Sequence, residues 1–210
     1  MPQKFRVHEI APHVFSRYAK KGNGEVFCVK CGDKIAEGDL VITRSNKHES
    51  FIYCPRCAYY LYLLSSFGAV SFKGMVKRGA FYNLILNGEK RQTIREPMKN
   101  GRPHVKKDHT FKLYWKIRMK RSKKKALNQP HRIGIALCTA YEDVTLADMW
   151  WDEENAIADG FSSLDEFRDW FDPSPYNYTW KRYDWKINED ILKKFPYKRI
   201  KWHYPLLERG

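Results

Sequence analysis

A chain of 210 residues, 43% hydrophobic and 15% aromatic, is long enough for one substantial core or for a small module beside a medium one, and too apolar for a disordered tail. Lysine and arginine number 39 against 24 acids, a formal charge of +15 that favours polyanionic partners, above all nucleic acid. The longest apolar stretch, Ala58 to Val70, is broken by serines and too short to span a bilayer, and the opening MPQKFRVHEI lacks the apolar centre of a signal peptide, so a soluble, intracellular (cytoplasmic) protein with no transmembrane segment is expected.

Two C-x-x-C pairs come first. Cys28-Val-Lys-Cys31 and Cys54-Pro-Arg-Cys57 are separated by 22 residues, the design of a four-cysteine zinc site. Each pair forms a tight turn that points two thiolates at one ion, and Gly32 supplies the positive φ that such a turn often needs. Two disulfides or a redox pair are the competing reading, which a reducing compartment disfavours. Four thiolates complete a tetrahedron, so the Zn2+ is expected to be structural. Between the pairs, Asp33 to Phe51 reads as a hairpin-like excursion with a turn at Gly38-Asp39. Ala58 to Leu64 looks helical, which leaves a zinc ribbon or a treble clef as the module, over residues 1–66.

A connector around Ser65 to Ser71 leads to a second domain, residues 67–210. Met75, Val76, Ala80, Phe81, Leu84 and Ile85 recur at the spacing of an amphipathic helix, stopped by Asn87-Gly88. Phe111, Leu113, Trp115, Ile117 and Met119 alternate with Lys112, Tyr114, Lys116, Arg118 and Lys120, the pattern of a strand with a cationic open face. Arg121, Lys123, Lys124 and Lys125 extend that face as a basic loop. Alternate side chains on a strand are about 6.8 Å apart, comparable to successive phosphates, and Tyr114 is placed to stack on a base. Protection of an edge strand by lysines is the plainer alternative.

His131 to Ala140 reads as the next strand, and the two together suggest a barrel or a strongly curved sheet. Cys138, inside it, reads as a core thiol. From Glu142 to Asp172 eleven acids face Arg168 alone. One helix is expected from near Thr145 to Gly160 and a second from the capping box Ser163-Leu-Asp-Glu166, presenting Leu164, Phe167 and Trp170/Phe171 on one face until Asp172-Pro173 stops it. Arg199 to Tyr204 reads as a closing strand.

The segment Gly88-Glu-Lys90-Arg-Gln-Thr93-Ile-Arg95 clusters an amine, a hydroxyl and guanidinium groups. A lysine desolvated among cations can lose its proton and act as a base. On a regular strand Lys90 and Thr93 face opposite ways, so they share a site only if the chain bends between them. Asp159, at the end of the first acidic helix, sits where the macrodipole raises a carboxyl pKa.

Phe81 to Arg95, FYNLILNGEKRQTIR, resembles the signature that opens ASCH domains of the PUA-like superfamily, and Ala158 to Phe167, ADGFSSLDEF, looks like that family's second signature. The resemblance covers roughly residues 70 to 204. It implies an α+β protein whose zinc module precedes a PUA-like β-barrel with flanking helices. Members similar to this chain include amidohydrolases acting on acetylated cytidine, ribonucleases, and nucleic-acid-binding or coactivator proteins. In the amidohydrolase branch a lysine, a threonine and a glutamate do the work; those positions fall on Lys90, Thr93 and Asp159, the last one methylene shorter. The resemblance places Arg95 beside them, to bind a phosphate or to brace the barrel.

The function expected from all this is binding of RNA or another nucleic acid through the basic face, with a nucleoside or nucleotide held by Lys90, Thr93, Arg95 and Asp159. The alternatives are a hydrolase, with Lys90 as base, Thr93 as nucleophile and Asp159 as proton relay on an N-acylated nucleoside or an RNA phosphodiester, and an adaptor docking a protein partner through the zinc module.

Overall fold

The computed structural model describes residues 4–20, 23–45, 50–61, 63–115, 131–172 and 189–206. In chain order the elements are β1 (Lys4–Glu9), α1 (Pro12–Ala19), β2 (Val26–Phe27), β3 (Lys34–Ile35), β4 (Leu40–Ser45), β5 (Ser50–Tyr53), α2 (Pro55–Tyr60), β6 (Ser66–Phe72), β7 (Met75–Val76), β8 (Gly79–Ala80), α3 (Phe81–Leu86), β9 (Gln92–Arg95), β10 (Thr110–Trp115), β11 (His131–Thr145), α4 (Glu153–Ala158), α5 (Leu164–Phe171), α6 (Glu189–Leu192) and β12 (Pro196–Leu206). The class is α+β. Among the described residues no helix is long and apolar enough to cross a membrane.

The N-terminal part carries a three-stranded antiparallel sheet in the order β1-β4-β5 and the small β2–β3 hairpin. Ala36 N–H donates to the Asp39 carboxylate at 2.7 Å, fixing the Gly38-Asp39 turn that reverses the chain into β4. The larger part is a five-stranded sheet in the order β6-β10-β11-β12-β9, in which β6 pairs parallel with β10 and the other neighbours are antiparallel.

This sheet is not a closed ladder among the described residues: β6 and β9 remain its edges. It curls far enough for a side chain to bridge them, since Arg95 on β9 donates Nη2 to the Ser71 carbonyl on β6 at 2.7 Å. Residues 104–105 cover the outer flank of β6 through a bridge between Gly68 and Val105. Gly68 has φ +82, and a Cβ there would come within 2.1 Å of the His104 carbonyl oxygen, so that approach requires glycine.

Three expectations are corrected. The stretch from Ser66 is strand β6, not a connector, because it finds a parallel partner in β10. Met75 and Val76 pair with Gly79 and Ala80 as a hairpin, so the helix begins only at Phe81; Gly79, at φ +117, turns the chain where a helix cannot. The helix expected from Thr145 starts at Asp152, since β11 runs through Thr145 and Asp152 caps α4 by accepting from Asn155 N–H. Of the basic strand, Thr110 to Trp115 is described and alternates as expected, with Phe111, Leu113 and Trp115 buried, Lys112 exposed and Tyr114 half-buried.

Strand β11 is buried on both faces, and this decides how the two parts meet. Ile133, Ala136, Cys138 and Val144 belong to the large core inside the curled sheet, with Phe72, Phe111 and Trp202. Ile135 and Leu137 belong to the other core, with Val41, Ile42, Ile52, Cys57 and Ala58 of the N-terminal part. Register shifts between Ile135 and Leu137 and between Cys138 and Ala140 accompany the change of face. Helix α2 packs on β12 beside it. Leu137→Ala is therefore expected to lower stability by about 3 kcal/mol, measured as a lower urea midpoint at unchanged m-value.

Candidate metal centre and buried ion pair

The four cysteines converge although they lie on different elements. Cys28 and Cys31 occupy the turn between β2 and β3; Cys54 caps the N-terminus of α2 and Cys57 lies in its first turn. Their four sulfurs lie within 4.8 Å of one another, and Cys31 Sγ to Cys54 Sγ is 3.8 Å. A tetrahedron with metal–sulfur bonds of about 2.3 Å has edges of about 3.8 Å, so the set has the size of a single tetrahedral ion. Backbone N–H groups face the sulfurs, Cys54 N to Cys28 Sγ at 3.4 Å and Cys57 N to Cys54 Sγ at 3.5 Å, and Gly32 has φ +76. No disulfide joins these four cysteines in this structure.

The donor set has the electrostatics of a cation site. Burial works against the Cys28 thiolate, but N–H groups of Cys31, Cys54 and Lys30 outweigh it and bring its pKa down to about 7. Burial, with the Asp33 side chain, pushes Cys31 up to about 11, and burial with the neighbouring sulfurs raises Cys57. Four thiols so close cannot all ionise against one another; a dication in their midst removes that conflict.

The second constellation lies in the large core. Lys90 and Asp159 are 1% and 2% exposed, and the Lys90 ammonium donates to both the carboxylate and the backbone carbonyl of Asp159. Two turns of chain bring them together. Helix α3 ends at Leu86, with Gly88 at φ +73 reversing the backbone, and Asp159 is the C-cap of α4, followed by Gly160 at φ +97. A Cβ at Gly160 would sit 3.3 Å from Lys90 Cδ and 3.2 Å from Leu84 Cδ1, so glycine there also makes room for the lysine stem.

Around the pair stand rings, not water. Lys90 Nζ is 4.4 Å from the centre of Phe81 and 5.8 Å from that of Phe72; Arg95 Cζ is 5.0 Å from Phe72, whose ring meets Trp202 edge-on at 5.9 Å. Burial lowers the Lys90 pKa to about 8 against the pull of Asp159, and burial raises Asp159 although Lys90, Arg95 and the Ile94 N–H favour its charge. Desolvation thus outweighs attraction on both partners. Thr93 is buried on β9 opposite Ile200, in the strand whose Ile94 N–H reaches Asp159, but no hydrogen bond joins its hydroxyl to Lys90 or Asp159. Lys90 precedes β9, which begins at Gln92.

Of the cationic face, Lys112 is exposed and Tyr114 is half-buried in register with exposed Arg132 on β11. Lys112 pairs with Ile135, on the face where the N-terminal core is seated. Lys116, Arg118, Lys120, Arg121, Lys123, Lys124 and Lys125 lie outside the described residues.

One functional feature has no counterpart in the sequence reading. Gln92 Nε2 donates to Asn155 Oδ1 at 2.8 Å and to its carbonyl at 3.1 Å, Arg199 Nη1 reaches the same Oδ1 at 3.2 Å, and Asn155 Nδ2 donates to Asp152 at 2.7 Å. The spacing Asp152-x-x-Asn155 signals a helix cap, but its link to Gln92 is long-range and silent in the sequence. No protein-family model, no curated protein and no solved structure matches this chain.

The Lys90 proton has a measurable signature. Its folded pKa of about 8 lies below the ordinary 10.5, so between these values the unfolded chain holds a proton that the folded chain has released. Stability owed to the Lys90 proton therefore rises with pH across that window. The stability of wild type minus that of Lys90→Met/Asp159→Leu is expected to increase from pH 8 to 10.5 in parallel urea titrations; a flat difference would contradict the lowered pKa.

Proposed function

We propose that this chain is a zinc-containing, nucleic-acid-binding protein of the ASCH, PUA-like type, and that RNA is its ligand. The observation that carries the reading is the group of exposed Lys112 and half-buried Tyr114 on β10 with exposed Arg132 opposite Tyr114 on β11, followed in the sequence by the basic run from Lys116 to Lys125. Cations at strand spacing track a phosphate backbone while an aromatic ring stacks on a base. The overall +15 charge supplies the long-range attraction.

Zinc fits the four-thiolate set best among divalent ions, because soft sulfur ligands at tetrahedral spacing select it. Cys28, Cys31, Cys54 and Cys57 would hold it; bound there it supplies cross-linking of the β2–β3 turn to α2 and no open coordination position. With its second pair opening a helix, the module fits the treble-clef alternative better than the ribbon. Purified protein is expected to contain one zinc per chain, and a chelator to lower its melting temperature by ten degrees or more; metal-free protein of unchanged stability would refute the site.

A second reading has its own support in the Lys90–Asp159 pair. An ammonium with a pKa brought down to about 8 beside a carboxylate is equipped to exchange a proton near neutrality. In a hydrolase of N-acylated cytidine the neutral Lys90 amine, present once that ammonium has lost its proton, would take the proton of the attacking hydroxyl or water and return it to the leaving amine.

One set of measurements separates the two. Binding predicts an RNA affinity whose salt slope falls by about 0.7 in Lys112→Ala and whose strength drops about tenfold in Tyr114→Ala, a loss of about 1–3 kcal/mol for one stacked base. Salt-independent binding, or none, sinks it. Hydrolysis predicts release of acetate from acetylated cytidine that vanishes in Lys90→Ala; intact substrate at high protein concentration removes that reading.

A further inference from the structure

Helix α4 meets β9 at two places with matched spacing. Asn155 and Asp159 are four residues apart on the helix, hence one turn and about 6 Å, on the same side. Gln92 and Ile94, alternate residues of β9, stand about 6.8 Å apart along the strand. Asn155 takes the Gln92 amide, and Asp159 takes the Lys90 ammonium together with the Ile94 N–H. Ahead of β9, Arg91 N–H donates to the Ala158 carbonyl at 3.2 Å. Both side-chain ends of Asn155 are used, its oxygen by Gln92 and Arg199 and its nitrogen by Asp152. Arg199 is tied in turn to Glu142 at 2.7 Å, so the node joins α4 to β9, β11 and β12 at once. The helix has only six residues, so what fixes its first turn fixes its last.

We propose that Asn155 and Gln92 are positioning residues for the Lys90–Asp159 pair: their hydrogen bond seats α4 on β9 so that the ammonium and the carboxylate meet in a dry contact. The inference rests on the second reading above only in giving the pair a task; the placement itself needs no substrate. The groups that face Lys90 are the Asp159 carboxylate from α4, the Arg95 guanidinium from β9, and the uncharged rings of Phe72 on β6 and Phe81 on α3.

The test is the pH titration of Lys90 in the intact protein, followed through its side-chain Cε resonance by NMR of lysine-labelled protein and assigned with Lys90→Arg. Wild type is expected to show a midpoint near 8. Gln92→Met keeps the length of the side chain and removes the donor; Asn155→Ala removes the node. In both, water reaches the pair and the midpoint moves up by one pH unit or more, towards the ordinary lysine value. Asp148→Asn, which weakens the Thr145 turn ahead of α4 without touching Gln92 or Asn155, is expected to lower the melting temperature and leave the midpoint in place.

A midpoint in Gln92→Met within a few tenths of wild type overturns the proposal, and that variant alone decides if Asn155→Ala does not fold. Equal shifts in Asp148→Asn overturn it as well, because general loosening would then suffice. If acetylated cytidine is not hydrolysed but the midpoint moves, the hydrolase reading falls and the positioning role stands.

Discussion

A charge without water around it is the constraint to which the C-terminal part of this protein is built. The Lys90 ammonium lies among Phe72, Phe81 and the Arg95 side chain, where an ion left alone would cost several kcal/mol. Everything near it answers that cost. The end of α4 brings the Asp159 carboxylate and carbonyl, β9 brings the Ile94 N–H, and Gly160 withholds a side chain where the lysine stem passes. Even so, burial leaves Lys90 less basic and Asp159 more basic than either would be in water. Such a pair contributes little net stability.

The curled sheet and the cysteine cluster both bring distant chain segments together, by different means. The four sulfurs gather the β2–β3 turn against the N-terminus of α2. The curled sheet joins its edges through one guanidinium, Arg95 on the Ser71 carbonyl, where a barrel would use a backbone ladder. Each depends on a few polar contacts placed at the ends of regular elements, where backbone groups are unsatisfied and side chains can reach them.

What could be read from the sequence follows the range of the interactions involved. The two C-x-x-C pairs, the capping box at Ser163, whose Oγ accepts from Glu166 N–H at 3.2 Å, and the period-two pattern from Phe111 to Trp115 are local signals, and each appears in the structure where expected. The ion pair between Lys90 and Asp159 was legible only through a resemblance of two separated motifs, since the two residues are 69 positions apart. Met75 and Val76 misled because four-residue spacing in a short apolar run does not separate a helix from a hairpin followed by a helix; Gly79 was the deciding residue. Asn155 carried no outward sign of its role, because a polar residue in an acidic stretch reads as solvated until its partner Gln92 is found.

The two-sided burial of β11 also sets an order of events in synthesis. The N-terminal core needs Ile135 and Leu137 to be complete, yet both are made some seventy residues after Leu64, the last N-terminal member of that cluster. Until β11 has left the ribosome, the N-terminal part carries an uncovered apolar face, and its four clustered cysteines are placed to hold that segment in shape once a metal binds them. Metal capture early in translation would then act as a brace for an unfinished core, well before the nascent chain reaches the strand that seals it.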